Sequence, residues 1–182
     1  MINSRKYSHN RTMAKRICFL ILILLTLILL LHISFRTAEN RVLAIGSSPP
    51  SITFIDRSGN TKELKKEKAL FVIIYFHLEC EHCRYQLNLI NKGFDRFNGT
   101  RMFFFTNDKN LFQENKLQKW EKLIVSEDVT FGITNRNEFG LGFGKLVLPS
   151  VFIFNATGEL VKKIYGEVKL EKLLKEIYLA RG

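Results

Sequence analysis

The chain has 182 residues and a formal net charge of +11, from 28 Lys and Arg against 17 Asp and Glu. Seven basic residues and one acidic residue precede residue 42, so +6 belongs to the N-terminal segment and +5 is left for the rest. That remainder is spread over Lys-rich stretches (109–122 and 162–175), and reads as a solvated surface near anionic lipid headgroups rather than a nucleic-acid footprint.

Residues 1–16 carry Arg5, Lys6, Arg11, Lys15 and Arg16 and no acid, a basic tail expected on the cytoplasmic side. Residues 17–35 are apolar apart from Thr26, His32 and Ser34. At about 1.5 Å per residue they are long enough to span a bilayer core as a transmembrane anchor. The rival reading is a cleaved signal peptide with a site at Val42-Leu-Ala44. Arg36, Glu39 and Arg41 directly after the apolar run favour the uncleaved, single-pass anchor, with the following domain on the exported side. Cys18 lacks the small residues that precede a lipoprotein cysteine and reads as a thiol without a role.

Residues 36–50 form a linker ending in Gly46-Ser-Ser-Pro-Pro50, and residues 51–182 suffice for one compact domain with its own core. Ile52–Ile55 and Thr61–Leu64 flank a turn-rich loop, Asp56-Arg-Ser-Gly-Asn60, and predict a hairpin. Ala69–Phe76 is a continuous β-branched and aromatic run, the pattern of a strand buried on both faces. Cys80, Cys83, Leu87, Ile90, Phe94 and Phe97 then recur at steps of three and four, which predicts one helix face.

Arg101–Thr106 predicts a second central strand, and Asp108 to about Glu121 a polar helix touching the core through Leu111, Phe112 and Trp120. No single period wins between Ile124 and Gly144. Val151–Phe154, the turn Asn155-Ala-Thr-Gly158 and Glu159–Ile164 predict a hairpin, and Leu170, Leu173, Leu174 and Ile177 stripe a closing helix. Asn98-Gly-Thr100 and Asn155-Ala-Thr157 match the glycosylation pattern but read as turns. Strand–helix alternation with a terminal hairpin and helix predicts an α/β sandwich on a mixed sheet.

The chemistry concentrates in Cys80-Glu-His-Cys83. Cys80 falls where a buried strand gives way to a helix, and free N–H groups and the positive end of the helix dipole there favour thiolate over thiol. Cys83, one turn on, is within reach to close a disulfide. Two other readings stay open at this point: a cramped metal cluster of His77, Cys80, His82 and Cys83, and two inert packed thiols. Covalent haem attachment fails because Arg84 stands where the motif needs His.

Buried strand, Cys-x-x-Cys at a helix start, second strand, then Leu148-Pro149 leading into strand, turn, strand and helix: this combination resembles the thioredoxin fold. With the N-terminal anchor and early hairpin, the chain is similar to the membrane-anchored TlpA/ResA-like thiol–disulfide oxidoreductases of bacteria. The resemblance covers residues 51–180. It implies Cys80 as nucleophile, Cys83 as resolving thiol, and Pro149 as a cis-proline, with the Leu148 backbone pairing with an extended substrate. It further implies disulfide-containing exported proteins and a membrane electron donor as partners, reduction as the direction, and no cofactor.

Two departures stand out: Glu79 occupies the usual Trp position before the first cysteine, and no buried acid falls in residues 69–76. Glu79, Glu81 and His82 are the expected tuning residues, the acids opposing the thiolate and a protonated His82 stabilising it. Two rival functions remain. A copper or zinc carrier of this fold would use a distant third His ligand, and this chain has no His after His82; a peroxiredoxin-like peroxidase needs Thr or Ser three residues before its cysteine, where His77 stands.

Overall fold

The computed structural model describes residues 4–39, 43–64, 67–97 and 99–182. Arg41 of the basic flank, Val42 of the candidate cleavage site and Asn98 of the first glycosylation pattern lie outside them. The chain divides into two compact units, residues 1–41 and 42–182.

The first unit is the helix α1, Ser4–Glu39. Its stretch Lys15–Ile33, with a mean hydropathy of 2.8, is long and apolar enough to cross a membrane, the one such stretch among the described residues. Thr26 donates its hydroxyl to the Ile23 carbonyl at 2.8 Å, so this polar group is satisfied within the helix.

The second unit is built on seven strands: β1 (Thr53–Ile55), β2 (Thr61–Glu63), β3 (Phe71–Tyr75), β4 (Arg101–Thr106), β5 (Val129–Thr134), β6 (Ser150–Phe154) and β7 (Leu160–Tyr165). They form one mixed sheet in the order β2-β1-β5-β4-β3-β6-β7. β3, β4 and β5 run parallel, while β1 on β5 and β6 on β3 are antiparallel. Helices cover both faces: α2 (Glu81–Lys92), α3 (Glu121–Val125) and α5 (Leu170–Leu179) on one, α4 (Arg136–Phe143) on the other.

This explains the unbroken apolar runs. Along β3, Val72 and Ile74 join the core under α2 and α5, while Phe71, Ile73 and Tyr75 join the core under α4. The second core is largely aromatic: Phe71 stacks on Phe154 at 4.5 Å, and Phe139 on Phe143 at 4.3 Å.

One expectation is corrected. Asp108–Glu121 is not one helix. It is a series of turns, a 3-10 turn at Gln118–Trp120 and then α3. Asp108 Oδ1 accepts the Asn110 N–H at 2.9 Å, and Asn115 has φ 68°, both of which draw the backbone out of a continuous helix. Leu111 and Trp120 are nevertheless fully buried, as the sequence pattern implied.

The indecipherable stretch from Ile124 to Gly144 contains β5 and α4. Gly132 sits in mid-strand because a Cβ there would meet the Phe54 ring at 2.6 Å and the Phe105 ring at 2.9 Å.

The end of the linker also belongs to the domain. Gly46 donates to the Leu160 carbonyl at 2.7 Å and Leu160 to the Ser47 carbonyl at 2.8 Å, and Leu43 packs on the aromatic core.

Candidate functional site

β3 brings its chain to the edge of the sheet and stops. Phe76 is still buried and still hydrogen-bonded, donating to the Phe105 carbonyl at 2.9 Å, but the next residues leave the sheet in a turn closed by Cys80 N–H on the His77 carbonyl at 3.1 Å. Cys80 is the N-cap of α2, with extended backbone (φ −79°, ψ 119°). Its Sγ accepts the Cys83 N–H at 3.3 Å, doing with sulfur what Ser or Asp oxygen does at other helix starts. A half-buried sulfur at the positive end of a helix, already accepting a hydrogen bond, is placed to hold negative charge.

Cys83 has no solvent exposure. Burial pushes its thiol up from 9.0 to about 12, reinforced by its hydrogen bond to Cys80 and the charge on Cys80, while the His77 backbone and the Arg84 charge pull the other way. Both thiols are free, one half-buried and one shielded.

The raised Cys83 value has a consequence for stability. Between pH 9 and about 12 the folded chain keeps a proton that the unfolded chain has released, so stability is present below this window and falls as pH rises through it. The loss reaches at most about 1.4 kcal/mol per pH unit. Denaturant titrations across this window are expected to show a steeper alkaline decline for wild type than for Cys83→Ala. Parallel declines would contradict it.

The register places Pro149 at the same edge of the sheet. Ser150 pairs with Tyr75 across antiparallel β3 and β6, so Pro149 and Leu148 continue beside Phe76 and His77 as the chain runs toward the cysteines. The Leu148–Pro149 peptide is cis, and Leu148 is half-buried against both cores. Ser150 ties this corner to Val147, donating to its carbonyl and accepting its N–H at 3.2 Å.

The predicted tuning residues part ways. Glu79 and Glu81 are exposed at the mouth of the site. His82 faces Glu167 instead, with Nδ1 3.0 Å from its Oε2. His77 Nδ1 accepts the Glu79 N–H at 3.2 Å. Among the described residues no three or more His, Cys, Asp or Glu side chains converge as a metal site would require.

Four residues were missed by sequence reasoning. Arg84 donates to the Leu78 carbonyl at 3.3 Å, tying the turn before Cys80 to the helix after it and bringing a cation near Cys83. Lys119 lies 4.5 Å over the Trp120 ring, where burial lowers its pKa, the Arg84 charge lowers it further and the Glu79 charge raises it. Gln86, fully buried one turn beyond Cys83, accepts the Val168 N–H at 2.7 Å. Glu167 and Val168 thus clasp the loop after β7 to the cysteine helix at two points. Gln86 had a legible signal, a polar residue on the apolar stripe, whereas Glu167 is 85 positions from its partner and had none.

No protein-family model and no curated protein matches the sequence. Solved structures do match. A peroxiredoxin-like protein from Aquifex aeolicus aligns with a TM-score of 0.63 at 15% identity, covering 76% of this chain and 88% of that one. A putative thiol:disulfide interchange protein DsbE from Chlorobium tepidum gives 0.61 at 17%, covering 77% and 99%. A thio-disulfide isomerase from Thermus thermophilus gives 0.58 at 16%, covering 76% and 98%. Identity at this level speaks to the fold. The second unit has the thioredoxin fold, a mixed sheet between two layers of helices.

Proposed function

We propose that this chain is a membrane-anchored thiol–disulfide oxidoreductase that reduces disulfides of exported proteins through Cys80 and Cys83. The observation that carries the reading is the asymmetric pair: Cys80 half-buried at a helix N-cap, Cys83 fully buried one turn later, both at the edge where cis-Leu148–Pro149 emerges. The similarity to a thiol:disulfide interchange protein and a thio-disulfide isomerase supports it.

The reaction runs in two exchanges. The Cys80 thiolate attacks one sulfur of the substrate disulfide. A Cys80–substrate bond forms, the substrate S–S bond breaks, and the other substrate sulfur leaves as thiolate and takes up a proton. Cys83 then loses its proton and attacks Cys80 Sγ. The Cys80–Cys83 disulfide forms and the second substrate thiolate departs. The substrate gains two electrons and the pair loses them, so a dithiol donor on or in the membrane has to restore the pair.

In the mixed disulfide Cys80 is no longer charged, so its hydrogen bond and repulsion cease to hold Cys83 protonated, while burial still does. Leu148 would offer its backbone to an extended substrate segment. Glu79, Glu81 and His82 would tune the pair, with His82 Nδ1 3.0 Å from Glu167 Oε2.

The test is reduction of a peptide disulfide by the full-length chain in detergent, with dithiothreitol as donor. The rate is expected to fall to the uncatalysed level in Cys80→Ser. A rate unaffected by that substitution would end the proposal. For topology, protease added to spheroplasts is expected to remove the domain. Its protection, or its release in soluble form without the anchor, would contradict the anchored, exported placement.

A peroxidase reading draws on the similarity to the peroxiredoxin-like protein. His77 stands where such a cysteine needs Thr or Ser, and catalytic consumption of peroxide by the purified chain would favour it.

A further inference from the structure

Beside the cysteine pair, the same edge of the sheet carries a second feature that thiol exchange does not use. An open cleft of about 560 Å³ lies at the ends of β4 and β5. Asn107 follows β4, Asn135 and Arg136 follow β5, and Lys109 lines the wall between them.

Cations outnumber carboxylates in its lining, Lys109 and Arg136 against Glu138. The Asn107 Oδ1 already accepts the Tyr75 hydroxyl at 3.2 Å. The Asn135 Oδ1 accepts two backbone N–H groups, from Asn137 at 2.9 Å and Glu138 at 3.2 Å. The Asn135 oxygen is thereby filled and leaves its amide N–H groups to offer, while Asn107 offers its amide N–H groups and one remaining lone pair. Lys109 and Arg136 add two cations, and neither takes part in an ion pair among the described residues. Glu138 is the one carboxylate in the lining. A cleft of spare donors and cations fits a ligand that brings acceptors and negative charge. Ile55 and Ile133, paired across β1 and β5, add apolar surface to the lining, which suits a polypeptide better than a bare anion.

Its position relates it to the pair. β3, β4 and β5 are parallel, so the chain leaves all three at the same edge, and β5 stands two columns from β3. At strand spacings of about 4.8 Å, the β5 side of the cleft, with Arg136, lies roughly 10 Å along the sheet from the β3 column that leads to the cysteines, and its β1 side lies a strand further. An extended segment covers that distance in about three residues. The Tyr75 hydroxyl at the end of β3 donates to Asn107, which follows the intervening β4 and lines the cleft. Burial pushes the Tyr75 hydroxyl up and the Arg136 charge draws it down, so the cation acts across the same gap.

We propose that this cleft is a specificity site for an acidic segment of the disulfide substrate, holding Asp or Glu side chains about three residues from the substrate cysteine through Lys109, Arg136 and the two asparagine amides. The proposal rests on the thiol–disulfide reading and adds to it the class of polypeptide that the site prefers.

The test uses the full-length chain in detergent and two synthetic peptides, one with Asp and Glu three residues from its cysteine and one with Asn and Gln. In the first arm the cysteine is replaced by Ser and binding is followed by fluorescence anisotropy. The acidic peptide is expected to bind more tightly, and Lys109→Gln/Arg136→Gln to weaken it about five-fold, as for two exposed charge pairs. The neutral peptide should not change, and raised salt should erase the difference.

In the second arm the same peptides carry a disulfide. The double variant is expected to raise KM for the acidic peptide with kcat unchanged. Equal binding of both peptides to wild type, or equal losses in the variant, would overturn the proposal. If neither peptide disulfide is reduced, the thiol reading fails, and the binding arm alone still decides the cleft.

Discussion

Cys83→Ala is expected to accumulate covalent adducts through Cys80, and Cys80→Ala to accumulate none. The difference follows from where the helix puts each sulfur. Cys80 caps the helix and is open to a partner, whereas Cys83 has no exposure and reaches only Cys80. Removing the shielded thiol leaves the first exchange intact and deletes the second. Cys18 belongs to α1, so the thioredoxin-fold unit holds no other thiol to release the adduct. Removing the exposed thiol deletes the first exchange, and a buried Cys83, held protonated up to about pH 12, is a poor substitute nucleophile. Non-reducing gels and mass spectrometry of the captured proteins read the result and identify the substrates. Adducts on Cys80→Ala and none on Cys83→Ala would reverse the assignment.

Trp120→Ala is expected to destabilise the domain by about 3–5 kcal/mol, the range for truncating a buried large aromatic. Trp120 is fully buried and meets Phe76 edge-on at 6.5 Å. Its Nε1 donates to Asn88 Oδ1 on α2 at 2.8 Å. One side chain therefore supports both the end of β3 and the helix that carries the cysteines. Trp120→Phe keeps much of the apolar contact and loses the hydrogen bond, so it should cost clearly less. Urea titration measures both variants. Faster amide exchange in α2 of the Trp120→Phe variant would report the lost tie, and exchange unchanged there would show that Asn88 contributes nothing to holding the helix.

The parts legible from sequence are those in which burial writes a pattern. β3, β4 and β6 are apolar on both faces because each is covered by helices on both sides, so their runs are unbroken. α5 shows its stripe because one side packs and the other is exposed. The cysteine helix was legible for the same reason, whereas the cis Leu148-Pro149 bond was implied only by the resemblance to the thioredoxin fold.

The parts that resisted are held by contacts between distant residues. α4 contains Gly140 and Gly142 and has poor helix propensity, yet Phe139 and Phe143 pack into the aromatic core and Asn135 caps it. The spacing of Asn135 and Glu138 is a capping signal that could have been read. Residues 108–117 contain enough helix formers to suggest a helix, and local side-chain hydrogen bonds from Asp108 and Asn110 win instead. At the site, the Cys pair was visible at once, while the His82–Glu167 contact and the Arg84 tie exist only after folding. Folding gives the exposed imidazole of His82 a carboxylate neighbour that its place in the sequence did not reveal.

The central claim is that Cys80 and Cys83 interconvert between dithiol and disulfide as one unit. It is tested most directly by equilibrating the full-length chain in detergent with glutathione buffers of graded potential, alkylating free thiols and weighing the products. A single two-electron transition is expected, in which Cys80 and Cys83 lose alkylation together while Cys18 remains alkylated throughout. Cysteines 80 and 83 that stay alkylated at every potential, or that become glutathionylated separately without forming their own disulfide, would contradict it.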